Sequence, residues 1–180
     1  MKPAMKRVAV FGNAGGGKST LARQLAEITG LPLHIVDMLR FKQGGTAVPH
    51  DEYVASHRVL LGQDTWIIDG YGDTVTAWER FSRADTLIYV DLPLPVHYWR
   101  VTNRLIKGLF ADPEGWPKGG PLWGSSLSSY AVIPLCHRSM TPKYRQLVVD
   151  MATSKRVHHL KSSRAMTTFL DATRNEFTQS

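Results

Sequence analysis

One nine-residue stretch limits this chain more than any other: Gly12-Asn13-Ala14-Gly15-Gly16-Gly17-Lys18-Ser19-Thr20. It fits G-x-x-x-x-G-K-[ST], a phosphate-binding loop (P-loop) that needs a strand before it and a helix after it. Both flanks comply. Val8-Ala9-Val10-Phe11 is an apolar, β-prone run, and Leu21 to Glu27 carries apolar residues at helical spacing. The three glycines permit positive φ and close approach of the backbone to a phosphate. Loop N–H groups and the helix dipole then favour the anion. Residues 12–20 are thus the expected nucleotide contacts. Lys18 is expected to reach the β/γ-phosphates, and the Ser19 hydroxyl to take one position on Mg²⁺.

The rest of the chain alternates strand and helix. Strands are predicted at 7–11, 33–36, 65–68, 86–90 and 157–160, and helices at 18–29, 49–61, 77–82, 95–109, 141–152 and from 162 onward. Apolar strands alternating with helices mean an α/β fold: a three-layer P-loop NTPase fold with a five-stranded parallel sheet and helices on both faces. Residues 1–180 read as one domain. From Gly108 to Pro134 the sequence holds four prolines and five glycines and reads as irregular, a lid insertion at about 108–136.

Ligands of such sheets sit beyond the strands' carboxyl ends, where Asp37, Asp69 and Asp91 each close a strand. Asp69 is the metal candidate, as an acid ending an apolar strand in a P-loop protein, against a turn-forming role before Gly70. Asp37 reads as a substrate or metal contact, or as an N-cap or turn residue; Asp91 reads as structural. Arg100 and Arg104 share a helix face entering the lid, suited to stacking on a base or clamping phosphoryl oxygens, or to a solvated basic face. Arg138, Lys143 and Arg145 beyond the lid are candidate phosphoryl clamps or surface charges. Trp99 reads as core, Trp116 and Trp123 as lid residues, and His50, His57, His97 and His137 as plain surface or core positions. His158 and His159 alternate across a strand and so cannot pair on a metal.

At 43% hydrophobic and 21% charged residues the composition is that of a soluble globular protein. No run of 18 apolar residues predicts a membrane span, and the basic start lacks a signal peptide's apolar core. Cys136 stands alone, which excludes an internal disulfide and leads us to expect a cytoplasmic location. The formal charge of +7 is uneven: residues 97–164 hold eleven Lys/Arg against three acids. That half suits polyphosphate or a nucleic acid. The scattered placement suits a small anion better.

With these residues in hand, the chain resembles the adenylate-kinase-like nucleotide and nucleoside kinases. The resemblance rests on the P-loop, Asp37-Met38-Leu39-Arg40, Ile67-Ile68-Asp69-Gly70 and Arg100-x-x-x-Arg104. It is closest to the bacterial DNA topology modulation proteins, through Trp66 to Gly70 and Arg83 to Asp91. The resemblance implies ATP, Mg²⁺ and phosphoryl transfer to a small acceptor. It also implies that Arg40 meets the acceptor, that Arg100 and Ser163 lie near the adenine, that Arg104 contacts phosphates, and that Arg138 or Arg145 clamps from the lid side. Where adenylate kinases have Phe-Pro-Arg after Asp-Gly, this chain has Tyr71-Gly72-Asp73, which leaves Arg80 as the loose substitute for their acceptor arginine. The expected function is an ATP-dependent kinase of a nucleotide, nucleoside or other small acceptor, with Asp37 the candidate base for a hydroxyl acceptor. The alternatives are an ATP-binding regulator that engages nucleic acid, and an acceptor-independent ATPase.

Overall fold

In the computed structural model, residues 5–40, 46–108 and 122–178 are described. Strand β1 (Arg7–Gly12) leads through the glycine loop into helix α1 (Lys18–Thr29), then β2 (Leu33–Ile35), a 3₁₀ turn at Met38–Arg40 and α2 (His50–Leu61). There follow β3 (Trp66–Asp69), α3 (Thr74–Arg83), β4 (Thr86–Val90), α4 (Leu94–Gly108), α5 (Leu122–Ser139), α6 (Thr141–Met151), β5 (Arg156–Leu160) and α7 (Ser163–Thr178).

The five strands form one all-parallel sheet in the order β2-β3-β1-β4-β5. Every residue of β3 and β4 is buried, as a sheet covered on both faces requires. The period-two alternation of β1 sorts the two cores. Val8 and Val10 pack with Leu21, Leu25, Met166 and Phe169 on the α1/α7 face. Ala9 and Phe11 pack with Trp66, Phe81, Tyr89 and Tyr144 on the α3/α6 face. Because β1 lies between β3 and β4, its loop opens at the point where strand order reverses, the usual place for a ligand.

The expected fold class is therefore the observed one, with local differences. Helix α3 begins earlier than expected, at Thr74, because Asp73 and Thr76 form a capping box. The segment read as irregular up to Pro134 is helical from Leu122, with Pro134 inside α5. Propensity loses there to packing: α5 lies along α4, with Tyr98 and Tyr130 stacked at 5.9 Å and Thr102 bonded to the Tyr130 hydroxyl. Residues 109–121, and with them Trp116 and much of the expected lid, lie outside the described residues, as does the Trp123 side chain. Trp99, expected in the core, is 65% exposed. Among the described residues no helix is long and apolar enough to cross a membrane.

Candidate functional site

The glycine loop is held from its carbonyl side. Asn13 O accepts from Lys18 Nζ (2.8 Å), Ala14 O faces His97 Nδ1 (2.7 Å), and Gly16 O accepts from Arg100 Nη1 (2.6 Å). Gly17 O accepts the Leu21 N–H, the first turn of α1. Two N–H groups are engaged within the loop, Ala14 N on Asn13 Oδ1 (2.8 Å) and Gly16 N on Asn13 O (3.3 Å); with these four oxygens turned away, the remaining N–H groups are placed to meet an anion. Gly17, at the N-cap, has φ 82° and no side-chain cap, and no acid stands in the first turn. The orphan N–H groups of that turn are therefore left for a ligand. Asn13 adds a further tie: its Nδ2 donates to Ile133 O of α5 at 2.9 Å.

At the end of β3, Ser19 Oγ donates to Asp69 Oδ2 at 2.6 Å. Asp69 is 1% exposed, and its Oδ1 has no protein partner. Burial raises the Asp69 pKa, opposed by the charge of Lys18 and the bond from Ser19. A hydroxyl beside a buried carboxylate oxygen with an unfilled acceptor suits Mg²⁺, which takes one or two protein oxygens and completes its shell with water and phosphate.

The three expected acceptor residues converge on the loop after β3. Asp37 Oδ1 accepts from Gly72 N (3.2 Å), and Arg40 Nη1 donates to Gly72 O (3.1 Å). Arg80 Nη2 donates to Gly70 O (2.6 Å) and Tyr71 O (3.3 Å). Arg80 is fully buried, so it braces this loop from beneath rather than lining its surface. Burial lowers its pKa, as expected for a cation with Nε and Nη1 unpartnered in protein. Gly72 has φ 71°, and a Cβ there would collide with the Tyr53 hydroxyl, so the loop sits hard on Tyr53.

The arginines separate. Arg100 bridges the glycine loop to Ser163 Oγ (2.9 Å), so the two residues that the resemblance assigns to the adenine side, Arg100 and Ser163, are in contact. Arg104 reaches Ser129 of α5 (3.2 Å), and Arg138 lies exposed near the end of that helix. Arg145 is engaged elsewhere: Nε and Nη2 grip both oxygens of Asp91 (2.8 and 3.1 Å), and His159 Nε2 donates to the same carboxylate at 2.8 Å. The cluster ties α6 to the ends of β4 and β5. His158 lies on the other face, against Phe169. Burial alone lifts the Asp91 carboxyl, but the bonds from Arg145 and His159 outweigh it and hold its pKa below the usual range. Asp91→Ala is expected to cost about 1–3 kcal/mol in urea denaturation at neutral pH, since two donors lose their acceptor. A depressed carboxylate stabilises above its unfolded pKa of about 4 and loses that effect as pH falls through the folded value. The difference from wild type therefore narrows at lower pH; one that stays constant there counts against the assignment.

Two side chains at the site are not among the expected site residues. His97 reads from the sequence as a plain surface or core position, although it lies three residues before Arg100 on one helix face. Tyr53 carries no sequence signal; only the fold brings it under Gly72.

No family model matches the chain, and no curated protein matches it significantly. Solved structures do. A shikimate kinase from Acinetobacter baumannii, determined with shikimate, is 14% identical with a TM-score of 0.56, covering 98% of this chain and 94% of that one. An unliganded sugar kinase from Janibacter sp. is 16% identical with a TM-score of 0.46 at the same coverages. The first establishes the shared fold, a parallel five-stranded α/β sheet with helices on both sides.

Proposed function

We propose that this protein is an ATP-dependent phosphotransferase that moves the γ-phosphoryl group of ATP–Mg²⁺ to a small acceptor, a nucleotide or nucleoside first among the candidates. The observation that carries the reading is the glycine loop with its carbonyls engaged from behind and the Ser19–Asp69 pair beside it. Ser19 and Asp69 are the residues that would hold Mg²⁺, whose chemistry is to neutralise charge on the β- and γ-phosphates. Lys18 exchanges Asn13 O for phosphate oxygens, and Arg100 supports the loop and the nucleotide side. In phosphoryl transfer the protein's work is positioning and charge stabilisation, so no forced general base is needed for a phosphate acceptor. For a hydroxyl acceptor, Asp37 is the base candidate, and Arg40 and the Gly70–Gly72 loop form the acceptor side. The segment at about 108–136 is the proposed lid, with Arg104 and Arg138 on its helical border.

The basic half favours a regulator that engages nucleic acid less than its charge count suggests. Arg145 is bound to Asp91, Arg156 to Glu176, and Lys155 to the Ser82 and Ala84 carbonyls. The deciding experiment is ADP release with ATP–Mg²⁺ across nucleotides, nucleosides and small hydroxyl compounds, with Lys18→Ala as blank. We expect one acceptor class to stimulate turnover at least tenfold over that blank. Flat turnover with intact ATP binding rejects the kinase in favour of the regulator; acceptor-independent turnover that survives Arg40→Ala favours the ATPase.

A further inference from the structure

His97 is 2% exposed, on the first turns of α4, and both its ring nitrogens face backbone carbonyls. Nδ1 lies 2.7 Å from Ala14 O in the glycine loop, and Nε2 lies 3.1 Å from Leu92 O after β4. A neutral imidazole carries one N–H and can satisfy only one of the two. The shorter contact needs the proton, because two lone pairs at 2.7 Å repel. The neighbouring residues of α4 press on the same loop. Arg100, three residues on, takes Gly16 O, and Val101, four on, lies where a Cβ on Gly15 would come within 2.8 Å of it. The His97 ring itself stands 3.3 Å from the place of a Cβ on Gly16.

We propose that His97 is a positioning residue of the phosphate cradle: as the Nδ1–H tautomer it draws the Ala14 carbonyl away from the anion, so that the Gly15 N–H of the same peptide faces phosphate. Burial, then the charges of Lys18 on α1 and Arg100 on α4, lower the pKa of this ring against the pull of its two backbone partners, in keeping with one proton rather than two. Arg100 and Lys18 do the same for the Gly16 and Asn13 carbonyls, so three side chains from two helices dress three loop oxygens. The proposal rests on reading the loop as a nucleotide-phosphate site.

The test is ATP affinity, by calorimetry, for the wild type, His97→Ala, His97→Asn and His97→Gln, with a thermal melt of each. An asparagine amide reaches the place of Nδ1, and a glutamine amide that of Nε2. Loss of one working hydrogen bond weakens ATP binding about tenfold in His97→Ala. We expect His97→Asn to recover most of that loss and His97→Gln to recover little. A mere packing role makes Asn and Gln equivalent, and that result, or unchanged affinity in His97→Ala, overturns the proposal while leaving the nucleotide site standing. Wild-type protein that binds no ATP overturns the phosphate-site reading itself. The ring's ¹⁵N shifts in the folded wild type give a check that needs no variant: a protonated Nδ1 supports the assignment, and a protonated Nε2 with bare Nδ1 rejects it.

Discussion

Lys18→Ala is expected to lower turnover by about 10²–10³-fold and to weaken ATP binding, with little change in folding stability. The size follows from where the ammonium stands. It rests on Asn13 O at the mouth of the loop, a contact that it gives up to phosphate at little cost. As charge builds on the transferring group, its loss removes a preorganised cation from a site partly shielded from water. A second effect adds to the first. The Lys18 charge is the foremost influence opposing burial at Asp69, so without it the carboxyl keeps its proton to higher pH and becomes a poorer partner for Mg²⁺. Steady-state ADP production and calorimetric ATP titration measure both. A variant that keeps more than a tenth of wild-type turnover removes Lys18 from the mechanism.

Phe11→Ala is expected to be the most damaging change to stability that leaves the loop's own residues intact. Phe11 is 2% exposed, with ring centroids of Phe81, Tyr89 and Tyr144 at 4.5, 5.2 and 5.0 Å. Those rings come from α3, β4 and α6, so one side chain joins three elements to β1. A buried phenylalanine truncated to alanine loses transfer free energy and leaves a cavity, about 3–5 kcal/mol together. Against a total of about 5–15 kcal/mol for a domain, that is a large share. Urea denaturation reads it as a lower midpoint at an unchanged slope. A loss under about 1.5 kcal/mol means that the four-ring cluster is not the centre of this face. Because Phe11 precedes Gly12, the loss also loosens the platform from which the loop rises.

Much of the molecule is legible in local sequence. Four of the five apolar strands end near an acid or the glycine loop, and the period and spacing of all five predict the parallel strands that the structure contains. The pattern fails where long-range contacts outweigh local preference. Pro134 and the glycines before it argue for irregular chain, yet α5 is helical against α4, and Asn13 is bonded to Ile133 O, 120 residues away. Trp99 looks like core by residue type. But α4 turns His97, Arg100 and Val101 toward the glycine loop, and at 100° per residue Trp99 falls on the opposite side. Arg145 has the composition of a phosphoryl clamp; its actual partner is Asp91, 54 residues earlier.

The sequence by itself determined the parallel α/β class and the setting of the glycine-rich motif between a strand and a helix, because each follows from residue type and spacing within a few positions. The tertiary structure alone decided which charges remain for a ligand. Arg80 is committed beneath the loop after β3, Arg145 to the Asp91 cluster, and His97 to the Ala14 carbonyl. A buried donor or acceptor must find a partner wherever the fold supplies one, and that partner lies too far along the chain for any local pattern to name.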